Sequence, residues 1–294
     1  MISTAVVINA LELGCIYSLV ALALFLSFRV LNIADMTTNG AFTLGCAVSA
    51  TVALAGHPFL AFPAAMLAGA AAGFITALLQ TKFRIPSILA GIITDTGLYT
   101  VNLAVMGFSS NVSLMKKTTL FTILKPYLGI YYRLIPTAII TVLAAVLMVL
   151  FLKTRLGLSI RATGDNPDMV RASSINTSFT ITVGLCIANA STALSGALLA
   201  QYQKTADINL GGGMVIIGLA SLIIGEAVLP KGKLWLKALG AIIGSIAYRF
   251  IIAIALRMDL PSECLKLISA VIVALAIGLP AIQIKKGGKA KCSH

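Results

Sequence analysis

An all-α, polytopic membrane protein is the fold class this sequence predicts, and three observations predict it. Hydrophobic residues make up 59% of 294 residues and charged residues only 11%, with a mean hydropathy of +1.01. A soluble chain carries about 25% charged and roughly 45–50% apolar residues, so this much apolar surface needs lipid as its solvent. Second, apolar runs long enough to cross a bilayer, about 20 residues each, recur along the chain. Third, most Lys and Arg fall between those runs, with Lys237, Arg249 and Lys266 the exceptions.

Nine such runs are legible: 2–28, 36–55, 58–80, 86–107, 134–152, 179–200, 211–229, 234–256 and 262–282. The expected architecture is therefore about 8–10 transmembrane helices. The second, third and seventh runs are short or joined by tight turns such as Ala55-Gly56-His57-Pro58, so re-entrant or half-helices are expected among them. Residues 1–283 read as a single transmembrane domain, and 284–294, with Lys285, Lys286, Lys289 and Lys291, as a basic tail. The first run follows no basic n-region and is too long for a signal-peptide core, so it reads as a retained span. Gly69-xxx-Gly73 and Gly240-xxx-Gly244 carry the small-residue spacing that lets helices approach closely.

Charge placement predicts orientation. With the 153–178 loop inside, fourteen Lys/Arg lie inside, including Arg29, Lys82, Arg84, Lys231, Lys233, Lys237 and the tail. Seven lie outside: Lys116, Lys117, Lys125, Arg133, Lys204, Arg257 and Lys266. This bias predicts an outer N-terminus and an inner C-terminus. The net charge of +13 is thus accounted for by lipid headgroups and topology, not by nucleic acid. Cys15, Cys46, Cys186, Cys264 and Cys292 show no metal-ligand spacing, and His57 and His294 are the only imidazoles. No metal site and no cofactor are expected.

The 153–178 loop holds the most structured polar stretch, Lys153-Thr-Arg-Leu-Gly-Leu-Ser-Ile-Arg-Ala-Thr-Gly-Asp-Asn-Pro-Asp-Met-Val-Arg-Ala-Ser-Ser-Ile-Asn. Gly164 is expected to break the preceding segment. Asn166 is a good N-cap and Pro167 suits the first helical position, so a short helix is predicted near 166–174. Asp168 in its first turn and Arg171 one turn on agree with the helix dipole. Met169, Val170 and Ala172 supply apolar contact points, and Ser173, Ser174 and Asn176 favour an end. Such a stub either rests on headgroups or docks a cytoplasmic partner.

The loop also carries a family likeness. Arg161-Ala-Thr-Gly-Asp-Asn-Pro-Asp resembles the cytoplasmic coupling loop of ABC importer permeases of the branched-chain amino acid and ribose class. Phe28-Arg-Val-Leu-Asn-Ile-Ala-Asp-Met-Thr-Thr-Asn-Gly-Ala-Phe-Thr-Leu-Gly looks like the stretch leading into that class's second span. Ala193-Leu-Ser-Gly-Ala-Leu-Leu-Ala-Gln-Tyr-Gln and Gly218-Leu-Ala-Ser-Leu-Ile-Ile-Gly-Glu look like the single permeases that work with tryptophan- or tyrosine-type binding proteins. The resemblance implies two permease copies, two cytoplasmic ATPase subunits docking on 161–174, and an extracellular or periplasmic binding protein. It further implies residence in a bacterial cell membrane and passage of a small solute, an aromatic amino acid being favoured. On it, Arg161, Gly164, Asp165, Asn166, Pro167, Asp168, Met169, Val170 and Arg171 are the expected coupling residues. The chain has no G-x-x-x-x-G-K-[ST], so ATP hydrolysis is expected of a partner and not of this non-catalytic subunit. Ser173-Ser174 stands where the family pattern has a Gly, which puts the end of the coupling helix in question.

Ionisable groups inside runs cost about 2.5–3.5 kcal/mol on insertion scales, so each needs a partner or a purpose. Glu12, Asp95 and Arg249 are the clearest, with Asn102 and Asn189 as mid-span amides. Two arrangements are open: structural pairing of Arg249 with a carboxylate, or a polar path in which Arg249 and an acid meet a zwitterion. Asn102 and Asn189 read as helix–helix glue or as path lining. Asp35 reads as a residue at the inner mouth of the second run, and Glu226 as a snorkelling one. Gly211-Gly212-Gly213 reads as a hinge, and Tyr131, Tyr132 and Tyr202 as interfacial aromatics. The rival function is an ion-gradient-driven secondary transporter, a class that favours inverted repeats and paired broken helices, and no repeat is visible. An intramembrane enzyme would need a catalytic constellation within the runs, which His57 and His294 do not offer.

Overall fold

The computed structural model describes residues 4–115, 117–229 and 233–256. Eight of the nine predicted runs fall among them, and each is helical. The ninth run, the basic tail, Lys116, Lys231, Arg257, Lys266, Cys264, Cys292 and His294 lie outside the described residues.

The chain opens with α1 (Thr4–Leu24), which passes into a π-helical turn at Phe25–Val30. There follow α2 (Thr38–Leu54), α3 (Ala61–Thr81), α4 (Ser87–Val105), a short strand β1 (Asn111–Ser113) and α5 (Leu120–Leu128). Next come α6 (Leu134–Lys153), α7 (Arg155–Asp165), α8 (Pro167–Ala172) and α9 (Thr177–Gln203). Strand β2 (Thr205–Asp207), α10 (Met214–Val228) and α11 (Leu234–Leu256) complete the described chain. The strands pair antiparallel, with Val112 opposite Ala206. Among the described residues six helices are long and apolar enough to cross a membrane, while α2 and α10 are shorter apolar helices. Helices of this length and composition are those of a multi-pass membrane protein.

Two helices form the centre. The apolar stretch of α1 is 83% buried and that of α9 is 72%, against 28–39% for α3, α4, α6 and α11. The outer four present Leu67, Ile92, Ile139 and Ile254 outward, as lipid requires. In lipid the helices gain little from hydrophobicity against one another, so close backbone approach matters more. Both predicted small-residue pairs serve that purpose. A Cβ on Gly73 would sit 2.4 Å from the Leu185 carbonyl of α9, and one on Gly244 would sit 2.0 Å from the Ser221 carbonyl of α10.

Lateral bonds sort the connections onto two ends of the bundle. At one end Gln201 accepts a hydrogen bond from the Leu120 amide (2.9 Å) and donates to the Pro58 carbonyl (2.9 Å) and Ser49 (3.3 Å). The 55–60 turn, the 106–133 segment and the end of α9 are thereby tied together. At the other end Thr163 of α7 shares a 2.9 Å bond with Thr180 of α9, beside the end of α1.

Helices α2 and α10 span 17 and 15 residues. At about 1.5 Å per residue neither covers a hydrocarbon core of roughly 30 Å. Each is preceded by non-helical chain, residues 31–37 and 208–213, which enters the bundle before the helix begins.

Candidate functional site

The entry of 31–37 is built locally. Leu31 donates to the Leu26 carbonyl (3.0 Å), the i→i−5 bond that closes the π turn, and Asn32 then turns the chain at φ 56°. Asn is among the few residues that tolerate this left-handed conformation. The turn carries Asp35 into the protein, where it is 1% exposed. Its Oδ1 accepts from the Thr37 amide (2.9 Å) and its Oδ2 from Asn189 Nδ2 (2.7 Å), near the middle of α9. Thr37 Oγ1 lies 2.7 Å from Thr76 Oγ1 of α3. The expectation that Asp35 lies at a mouth and has no special role is therefore corrected: α2 starts inside the bundle, so the residue ahead of it is buried too.

The starts of α2 and α10 then meet. Asn39 Oδ1 accepts from the Val215 amide (3.1 Å), an orphan donor in the first turn of α10, and Thr43 Oγ1 from the Gly211 amide (3.1 Å) of the segment leading into it. Gly211 packs so closely that a Cβ would lie 2.1 Å from the Asn39 carbonyl, and Gly213 turns into α10 at φ 90°. Between these starts and α4 lies a polar cavity of about 390 Å³, lined by Asn39, Thr43, Asp95, Thr96, Tyr99, Asn102 and the 208–212 backbone. Irregular backbone at membrane depth is tolerated where it lines such a cavity.

Of the residues singled out in the sequence, Asp95 and Asn102 line this cavity, and Asn189 reaches its neighbourhood through Asp35. Asn102 Nδ2 bonds the Gly40 carbonyl at 3.2 Å. Glu12 and Arg249 do not join it. Glu12 Oε2 accepts from Tyr202 Oη (2.8 Å), whose ring lies 5.0 Å below the Arg133 guanidinium. Arg249 stands 3.6 Å over the Tyr17 ring and faces a separate cavity of about 240 Å³ with Asn9 and Leu13. Among the described residues, neither Glu12 nor Asp95 forms an ion pair with Arg249. The π face of Tyr17 answers its charge instead.

At the opposite end the predicted short helix is present. Asn166 Oδ1 accepts from the amides of Asp168 and Met169 (both 3.1 Å), Pro167 opens the helix, and Arg171 Nη1 lies 3.1 Å from Asp168 Oδ1. Three expectations need correction. Gly164 does not break the chain: it lies within α7, where a Cβ would stand 1.9 Å from the Val30 carbonyl, so it is the contact that seats α7 on the end of α1. Val170 is 3% exposed and packs inward, leaving Met169, 65% exposed, as the free apolar side chain. Glu226 does not snorkel alone but pairs with Arg29 of the π turn. Around that pair lie Arg161, Asp165 and Lys237, in a cavity of about 480 Å³. The helix ends at Ala172, and Ser174 takes φ 61°.

Residues 6–277 match the family model described as branched-chain amino acid transport system, permease component. The chain belongs to this permease family. The permease is 34% identical, over 95% of its length and 94% of the other chain, to a tyrosine transport system permease protein of Clostridioides difficile. It is 33% identical to an uncharacterized protein of Rickettsia prowazekii, over 92% of its own length and 96% of that chain. A ribose import permease protein of Haemophilus influenzae is 21% identical over 92% of the permease and 83% of that chain. Asn39 and Thr43 of the permease are site residues the sequence reading missed. Their signal was a polar cluster, Asp35-Met-Thr-Thr-Asn39, interrupting an otherwise apolar stretch.

Proposed function

We propose that this permease is the membrane subunit of an ATP-binding-cassette importer, passing a small solute through the cavity between α2, α4 and the 208–213 segment. The observation that carries the reading is the meeting of two short helices at a cavity with polar lining, open along α4. Family membership supports transport, and the likeness to a tyrosine permease supports an amino acid, aromatic by preference. The α8 helix with its Asn166 cap and free Met169 is the proposed seat for a cytoplasmic ATPase. Arg161, Gly164, Asp165, Pro167, Asp168, Val170 and Arg171 shape that seat, with Val170 and Gly164 holding it from behind. Asp95 lies on α4, a largely outward-facing helix, so a second permease copy against α4 would close the cavity; a binding protein delivers solute at the Gln201 end. The basic 153–178 end faces the cytoplasm in this scheme.

Helix α10 joins the two regions. Its first turn is held by Asn39 at the cavity, and Glu226 near its last turn is held by Arg29 beside α7. A displacement of α7 and α8 by an ATPase is therefore conducted to the cavity. The test is reconstitution with the cognate ATPase and binding protein, comparing the parent with an Asn166→Arg, Pro167→Glu double variant. ATP-dependent uptake should vanish while the variant remains in the membrane at parental level. Parental uptake by the variant would refute the docking role.

A second reading, a carrier driven by an ion gradient, is favoured by the pairing of two short helices alone. It predicts uptake that follows the gradient and ignores ATP, in the same vesicles.

A further inference from the structure

We propose that the cavity recognises the ammonium group of its cargo, with Asp95 as counter-charge and Asn102 and Tyr99 beside it. This rests on the cavity being the translocation path and names what is read there.

Among the described residues the cavity's lining contains no Lys, Arg or His, and Asp95 is its single charged side chain. Asp95, Tyr99 and Asn102 stand at i, i+4 and i+7 on α4, one stripe of one helix face. Asn102 is 1% exposed; its Nδ2 is spent on the Gly40 carbonyl, and its buried Oδ1 has no hydrogen-bond partner. A buried acceptor without a donor is costly, and it adds to the polarity behind this wall.

The carboxylate is admitted deliberately. Gly40 has no side chain, and a Cβ there would sit 2.7 Å from Asp95 Oδ1. Asp95 is thereby brought against the first turn of α2, whose dipole favours an anion. A carboxylate on a spanning helix is costly without a partner, and a cation is the partner this wall can take. An ammonium supplies donors for the Asp95 carboxylate, and the Tyr99 ring adds a π face. A free carboxylate would meet Asp95 with like charge. Arg249 sits in another cavity, so the cargo's amine end, not its acid end, is what this wall reads.

The experiment uses the full-length chain in lipid nanodiscs carrying Thr96→Cys, a position exposed and on the cavity wall. Maleimide labelling of residue 96 is followed by mass spectrometry, with tyramine, L-tyrosine or 3-(4-hydroxyphenyl)propionate present. Tyramine and L-tyrosine should slow labelling and the amine-free acid should not. Adding Asp95→Asn should weaken protection about tenfold in concentration, the size of one lost charge-assisted hydrogen bond. Asp95→Glu, which keeps the charge, should retain most of it and reports that the fold is intact. Protection by the amine-free acid, protection unchanged in Asp95→Asn, or no protection by any probe would overturn the assignment. Failure of the underlying transport reading is seen separately, as absence of ATP-dependent L-tyrosine uptake by the parental complex.

Discussion

Replacing Asn189 with alanine tests whether the buried Asp35 holds the start of α2 to the centre of the bundle. The change removes the 2.7 Å bond to Asp35 Oδ2 and a 3.0 Å bond to the Leu185 carbonyl, at a site with no exposure. Hydrogen bonds between helices in a membrane average about 0.6 kcal/mol and reach roughly 1.7. Those to charged groups are worth about 1.5–3 kcal/mol. Asp35 keeps only its contacts to Thr37 once Asn189 is gone, so the upper part of the membrane range applies. Alanine returns roughly 0.5 kcal/mol of helix propensity. The net loss should be about 1.2 kcal/mol, a fall in Tm of about 2–5 °C at the scaling of large domains. The assay is a detergent melt read by monodisperse fraction, for Asn189→Ala, Asp35→Ala and the double variant. A coupling energy above about 1 kcal/mol is expected; additivity within roughly 0.3 kcal/mol would refute the contact.

Gly164→Ala should destabilise by about 1–3 kcal/mol, because its new methyl meets the Val30 carbonyl, which cannot step aside. Gly97→Ala, which meets nothing within 4 Å, should be neutral or gain up to about 1 kcal/mol of helix propensity in the same melt. Ser174→Gly should relieve a left-handed residue and stabilise by up to about 1 kcal/mol, without loss of ATPase stimulation. Gln201→Ala should cost about 2 kcal/mol and expose the 106–133 segment to limited proteolysis, since three bonds that anchor it and its neighbours are lost. Arg249→Ala leaves the Asp95 cavity intact, so reduced yield with normal uptake per molecule is the expected pattern.

Much of the fold was legible because lipid imposes long apolar runs, and eight of the nine runs lie on described helices. The short helices were flagged by length, and the Asn166-Pro167 start by residue types whose capping chemistry is local. Failures came where the decisive partner is distant in sequence. Gly164 looks like a breaker until Val30 is beside it, and Asp35 looks superficial until Asn189 reaches it across 154 positions. Asp95 and Asn102 were visible as polar residues in an apolar run. Asn39 and Thr43 were not, because their role is to complete the start of a helix some 170 residues later.

The π turn at Phe25–Val30 has a consequence for how this segment tolerates insertion and deletion. An i→i−5 closure holds one residue more than an α turn, which advances every later side chain by about 100° around the axis. Arg29 faces Glu226 in that advanced register. Deleting a single residue from 25–28 would let the turn relax to α and swing the guanidinium off α10. The same deletion in the middle of α6, whose outward face meets lipid along its length, would merely re-phase a greasy surface. Length polymorphism should therefore be scarce at this one turn, and the surplus residue acts as a phase setting for Arg29 against α10.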